Sequence, residues 1–378
     1  WAGGAATSSI YETSSQDQVN WIMSDSGAVL LIAETPDMAA VGRAATEGVD
    51  TCREILTIDE GAIDHLKSLA TDESRAEVKR RIDAISHDDI STLVYTSGTT
   101  GNPKGCVLTH HNFVWEAMSL DGSLAVMLSP ENRTLMFLPL AHIFARAVQA
   151  ACVGSGCTLG YSTGIPNLME ELPMFKPTWL FSVPRVFEKV YNGAKARADA
   201  DGRGAIFDRA ASTAIAYSQG IQRGKVSIGT KLAHGLFDRL VYSKLRAAFG
   251  GEVRVALSGG APLGARLGHF FRGIGIVIYE GYGLTETTAG STVNTPEAIR
   301  VGTVGRPVAG SSIRIADDGE VLIKGGHVFK EYWNNPTATA EAIVDGWFHS
   351  GDLGAIDDEG FLSITGRKKE IIVTAAGK

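Results

Sequence analysis

Residues 95–105 read YTSGTTGNPKG and follow directly on the apolar run Leu93-Val94-Tyr95. Gly98 and Gly101 permit tight turns and let backbone N–H groups approach an anion closely. The hydroxyls of Thr96, Ser97, Thr99 and Thr100 add donors, and Lys104 adds a point charge. Together these are the parts of a polyphosphate cradle. The spacing is not that of a Walker A loop, G-x-x-x-x-G-K-[ST]. Five residues after Gly98 comes Pro103, and Gly105 rather than a hydroxyl residue follows Lys104, so the P-loop kinase or ATPase reading fails. A flexible Ser/Thr/Gly linker is the competing explanation; the strand just before and the proline–lysine pair at the end count against it.

Four more stations lie downstream: ALSGGAPL at 256–263, YEGYGLTET at 279–287, WFHSGDLG at 347–354 and GRKKEII at 366–372. With the first string they resemble the adenylate-forming superfamily of acyl-CoA synthetases, luciferases and peptide-synthetase adenylation domains. YTSGTTGNPKG is similar to its phosphate loop. Gly260, Ala261 and Pro262 resemble the adenine-side loop, placed at the carboxyl end of a strand where α/β sheets bind ligands. Glu280, Gly281, Tyr282 and Gly283 belong to the next motif. There the resemblance implies that Tyr282 stacks on adenine, Thr285 contacts the α-phosphate or the substrate carboxylate, and Glu286 binds Mg²⁺. An aromatic face suits a purine, and a hard oxygen ligand suits Mg²⁺ shared with phosphates. Asp352 would accept from the ribose hydroxyls, Arg367 would reach ribose or phosphate, and Lys369 stands at the hinge to a mobile lid.

The connecting stretches IYETSS at 10–15, SVPRVFEKVY at 182–191 and YWNNP at 332–336 are similar to the long-chain acyl-CoA synthetase branch, bacterial members in particular. FLPLAHIF at 137–144 resembles the helix entry beside the acyl pocket, with His142 near the carboxylate; a core histidine is the alternative. Arg146 stands where some relatives have a gating aromatic, so no chain-length gate carries over, and Ala376 replaces a commoner glycine. The implied reaction joins a fatty acid to ATP, giving acyl-AMP and pyrophosphate, and then transfers the acyl group to CoA. Thr96, Lys104, Thr285 and Glu286 would share the stabilisation of phosphate charge. The alternatives are an acyl-AMP ligase that delivers to a carrier protein, and a non-catalytic nucleotide- or lipid-binding relative.

Elements must hold these stations in place. Between 90 and 280, the apolar runs 93–95, 134–138, 179–183, 253–257 and 276–279 alternate with helical patterns such as 185–200 and 263–272. That alternation predicts parallel strands with crossover helices. Beyond 300 the texture becomes hairpins: 313–315 and 321–323 around Asp317-Asp318-Gly319, then 353–356 and 361–365 around the turn 357–360. The expected fold is therefore α/β, the large N-terminal domain of an adenylate-forming enzyme, with parallel α/β subdomains plus a small β-rich, distorted-barrel subdomain. Its expected divisions are an adenylation core over 1–299, incomplete at its start, a β-rich part over 300–365, and a hinge over 366–378 leading to an absent lid. The lid of the family carries a catalytic lysine, so this stretch alone is expected to bind nucleotide but make thioester poorly. The absence of an initiator Met or signal-peptide pattern at Trp1, and the stop after Ile371-Ile372-Val373, read as both ends being cut.

Bulk properties narrow the partners. The chain has 378 residues and a net charge of −7, which argues against a nucleic-acid partner but leaves room for one triphosphate. Four cysteines without C-x-x-C or zinc spacing point to a reduced, cytoplasmic protein. Arg146 and Gln149 interrupt the best apolar run, so lipid contact would be peripheral. The cation-rich helical stretch 195–246 reads as a solvated face, with a membrane or CoA-phosphate surface as the alternative. Oligomeric state has no signal here.

Overall fold

The computed structural model describes residues 3–96 and 102–368. Its principal parallel sheet is built as expected. Strands Trp179–Ser182, Val255–Ser258 and Val277–Tyr282 run parallel in register, Trp179 and Val277 both opposite Val255. Thr292–Val293 and Arg306–Pro307 extend that sheet antiparallel at one edge. Helices Pro184–Ala200 and Ala265–Gly273 provide the crossovers. Strand Arg133–Met136 pairs in parallel with Thr158–Tyr161 across helix Ile143–Ser155. The largest core gathers beneath these elements, with Trp179, Phe181, Phe187, Phe270 and Phe271 all buried.

One pair departs from the parallel expectation. Strand Ile90–Thr96 is followed by a strand rather than a helix, and Lys104–Thr109 returns antiparallel beside it, Thr96 opposite Lys104. The two strands that flank the candidate phosphate loop in sequence thus pair as a hairpin. The hairpin is sandwiched between two cores. Val94, Cys106 and Leu108 enter one, whereas Leu93, Tyr95 and Val107 enter another. Strict alternation lets six residues serve two interiors.

The β-rich part has strands Ser312–Ile315, Glu320–Lys324, Trp347–Ile356 and Leu362–Arg367 joined antiparallel, as the turn residues foretold. Two strands from the same stretch pair elsewhere. Arg306–Pro307 joins the parallel sheet, and Glu331–Tyr332 pairs with Lys104–Thr109, Tyr332 opposite Cys106.

Helix His110–Leu124 starts from a reciprocal cap in which Thr109 Oγ1 accepts from Asn112 N and Asn112 Oδ1 accepts from Thr109 N. Asn112 Nδ2 also donates to the carbonyls of Gly326 and Val328, so the cap fastens the β-rich part to the body. No helix among the described residues is long and apolar enough to cross a membrane.

Candidate active site

A cavity of about 1280 Å³ opens where the hairpin, the carboxyl ends of the parallel strands and the β-rich part meet. Thr96 and Lys104 enter it from the hairpin, Gly260 from the turn after Val255–Ser258, and Gly281, Tyr282, Gly283, Thr285 and Glu286 from the end of Val277–Tyr282. Arg367 closes it from the β-rich side. Stations separated by some 270 residues of sequence therefore face one space. Ser97, Gly98, Thr99, Thr100, Gly101 and Lys369 lie outside the described residues.

The loop after Tyr282 is shaped by close backbone approach. A Cβ at Gly283 would stand 1.5 Å from the carbonyl oxygen of Ala289, so only glycine fits. Thr288 and Ala289 both take positive φ, 50° and 97°, a strained pair of the kind found where geometry at a site is fixed by its surroundings. Thr285 and Glu286 occupy the single 3₁₀ turn this folds into.

Glu286 is half-buried, and its Oε1 accepts from Tyr332 Oη at 2.7 Å. Lys104 Nζ lies 4.2 Å from the centroid of the same tyrosine ring. Burial first, then the Glu286 charge, raises the Tyr332 phenol far above its ordinary value, so it stays a neutral donor. Tyr332 lay within a stretch quoted for its branch resemblance, but nothing local marked it as a partner of Glu286, 46 residues away.

A second chain of contacts joins three expected nucleotide residues. Tyr282 Oη donates to Asp352 Oδ2 at 2.7 Å, and Arg367 Nε donates to Asp352 Oδ1 at 2.9 Å. Asp352 is 4% exposed and stands opposite Arg367 in the ladder. Each carboxylate oxygen retains a further lone pair. Next to it Glu320, also buried, accepts from Gly351 N and binds Lys368 Nζ at 3.0 Å and His349 Nδ1 at 3.1 Å. Burial pushes the Glu320 carboxyl up, but Lys368, Gly351 N–H and His349 bring it down overall.

Not every expected residue faces the cavity. Ala261, Pro262, Glu280 and Asp352 do not line it, Asp352 standing behind Tyr282 and Arg367, which do. The Glu280 side chain turns inward, where Oε1 accepts from Leu263 N at 2.9 Å and steadies the turn ahead of helix Ala265–Gly273. Burial raises its pKa. His142 does line the cavity and opens onto it as the N-cap of helix Ile143–Ser155, with Nδ1 accepting from Phe144 N at 3.2 Å. Its surroundings lower its pKa, which favours the neutral ring. Arg146, one turn on, is buried, with its guanidinium on Leu140 O, Thr92 Oγ1 and Ser9 Oγ. It ties the helix to the hairpin and does not line the cavity.

No cluster of three metal-ligating side chains occurs among the described residues. Mg²⁺ commonly takes one or two carboxylates and draws its remaining oxygens from substrate phosphates and water. The single carboxylate of Glu286, held by Tyr332 with Lys104 over the same ring, fits that pattern.

The family described as AMP-binding enzyme matches residues 1–333. A long-chain-fatty-acid–CoA ligase of Mycobacterium bovis, FadD15, is 52% identical over 380 residues, covering 100% of this chain and 63% of the relative. The long chain acyl-CoA synthetase 4 of Arabidopsis thaliana is 35% identical over 311 residues, 77% of this chain and 46% of that protein. Among solved structures, the N-terminal domain of FACL13 from Mycobacterium tuberculosis superimposes with a TM-score of 0.70 at 25% identity. That match covers 94% of this chain and 79% of that one. The chain thus spans less than two thirds of the length of these curated relatives, 63% of the first and 46% of the second.

Proposed function

The chain belongs to the AMP-binding enzyme family, and on that premise we propose that it is the nucleotide- and acyl-binding part of an AMP-forming fatty-acid–CoA ligase. The observation that carries this is the convergence of Thr96, Lys104, Tyr282, Thr285, Glu286 and Arg367 on one cavity. In the first step a carboxylate oxygen of the fatty acid attacks the α-phosphorus of ATP. The new bond is acyl–O–P, and pyrophosphate leaves with the electrons of the broken α–β bridge. No general base is needed, because a fatty carboxylate is already ionised at pH 7. The protein contributes position and charge. Lys104 meets the phosphates, Thr285 holds the α-phosphate or carboxylate, and Tyr282, Asp352 and Arg367 hold the nucleoside. Mg²⁺ held by Glu286 would neutralise phosphate charge. In the second step the thiol sulfur of CoA attacks the acyl carbon, the acyl C–O bond to AMP breaks with its electrons staying on AMP, and the thiol proton is released to water, giving the thioester and AMP. His142 borders the acyl entrance, and its neutral ring suits a contact beside an anhydride.

Residues 1–299 would form the adenylation core, 300–365 the β-rich part and 366–378 the lead into a lid. Four free cysteines suit a cytoplasmic setting. Peripheral membrane contact is supported by one helix, Ile228–Phe237, and the turn after it: Ile228, Leu232, Leu236 and Leu240 form an exposed stripe among Arg223, Lys225, Lys231, Arg239 and Lys244.

The test uses the full-length protein. Fatty-acid-dependent ATP–pyrophosphate exchange should appear without CoA, and free AMP should accumulate once CoA is added. Exchange without CoA-dependent AMP release would transfer the reading to an acyl-AMP ligase serving a carrier protein. No exchange with any fatty acid would leave a binding protein.

A further inference from the structure

Glu116 lies on the inward face of helix His110–Leu124 and is 0% exposed. Its Oε1 accepts from Gly290 N at 2.8 Å, whereas its buried Oε2 has no hydrogen-bond partner and no cation pairs with it among the described residues. Glu116 is among the residues lining the large cavity, as are Leu120, Phe144, Ala147 and Val293, and Leu120 stands with it against Gly290. Burial holds the carboxyl well above the usual carboxylate range, against a smaller opposing effect of the Gly290 N–H. A neutral carboxyl whose carbonyl oxygen takes an N–H carries its proton on the other oxygen. Oε2–H is then a donor with nothing to receive it. A buried donor left unmet carries a desolvation penalty. A plain methylene chain in the cavity would leave that cost standing, and an oxygen on the chain would remove it.

The position along the helix gives the location of that oxygen. Gly290 ends the loop that carries Thr285 and Glu286, so Glu116 sits at the reactive end of the wall. Leu120 and Leu124 follow at one-turn intervals, about 6 and 12 Å further along the axis. Leu120 lines the cavity, and both leucines line a separate small void with Met127 and Trp179. An acyl chain running along this helix passes Glu116 before it meets Leu120.

We propose that Glu116 is a specificity-determining donor in the acyl wall, and that the preferred substrates are fatty acids bearing a hydroxyl, keto or ether oxygen on a carbon near the carboxylate. This rests on the reading that the cavity takes an acyl chain.

The test compares chains of equal length on the full-length protein, plain or carrying one hydroxyl moved stepwise from C2 to C6, by kcat/KM for pyrophosphate release. One position should exceed the plain chain by about 10-fold, the usual scale for satisfying a buried polar group of a site. Glu116→Gln, whose amide can still accept from Gly290 and donate into the cavity, should keep that preference. Glu116→Leu should abolish or reverse it. A flat profile in the wild-type protein overturns the proposal without recourse to a variant, as does a Glu116→Leu enzyme with unchanged preference. Failure of every fatty acid, plain or hydroxylated, to release pyrophosphate would instead strike the underlying acyl-activation reading.

Discussion

Glu286, Tyr332 and Lys104 form the most consequential small group, because a carboxylate, a neutral phenol and an ammonium meet with only one direct hydrogen bond between them. Glu286→Gln retains an acceptor for Tyr332 Oη and removes only the charge. Pyrophosphate release should fall at least ~10²-fold, the scale of losing a main electrostatic stabiliser. Near-normal release would refute the Mg²⁺ assignment. Tyr332→Phe leaves the charge and removes its anchor, and a milder loss of roughly 3- to 10-fold is expected in the same assay. At Asp352 the substitution to Asn weakens acceptance from Tyr282, Arg367 and an incoming ribose together. ATP affinity should drop about 10-fold by titration, with a smaller loss for a 2′,3′-dideoxy analogue; equal losses would remove the ribose role. Most of these side chains were legible in the sequence because each sits inside a short string whose residue types already suit phosphate, purine or ribose. Glu116, Tyr332 and Glu320 were not. Their partners lie 174, 46 and 48 residues away, and nothing within a few positions of each hints at them.

Periodicity exposed the parallel strands and both hairpins of the β-rich part, since their turns carry Asp-Asp-Gly and Asp-Asp-Glu-Gly. It missed strand Lys104–Thr109, whose start is masked by the glycine–proline texture of the loop before it. Two of the devices that hold helix His110–Leu124 to the β-rich part can each be tested. Asn112→Ala removes one half of the cap and both donations to Gly326 and Val328; about 2–4 kcal/mol should be lost in urea unfolding. A loss below 0.5 kcal/mol would show that the fastening is idle. His327 stacks on Trp115 at 4.5 Å, is fully buried, and has its pKa lowered to about 4 by desolvation. The unfolded chain takes up that proton first as pH falls. Stability should therefore be intact above pH ~6.5 and decline by roughly 3 kcal/mol towards pH ~4. Urea midpoints at pH 7 and 4.5 should draw together in His327→Gln relative to wild type; an unchanged spread would place the acid sensitivity elsewhere.

Across the whole molecule the charge is −7, yet one face runs against that balance. Ile228, Leu232, Leu236 and Leu240 are 78%, 72%, 58% and 51% exposed at four-residue intervals. The cations around them form no ion pair among the described residues, whereas Asp238 is taken up by Arg246. An apolar stripe bordered by free cations suits the interface of an anionic bilayer. Full-length protein should co-sediment with vesicles containing anionic lipid, less so in high salt, and Leu232→Glu with Leu236→Glu should reduce binding at least ~10-fold. Equal binding to purely zwitterionic vesicles would point away from charge, and none to either would leave the stripe for a protein surface.

The hairpin of Ile90–Thr96 and Lys104–Thr109 acts as a parity check. Its even-numbered residues Val94, Cys106 and Leu108 share a face with Lys104, and its odd-numbered ones fill the opposite interior. A slip of one residue between its strands would exchange the contents of two cores at once, as well as turning the ammonium away from the cleft. The location of the Lys104 ammonium is thereby written redundantly, in six side chains of which only Val94 and Tyr95 reach the cavity. Homologues of this chain should vary freely in the identity of those six and hardly at all in the count of residues between them.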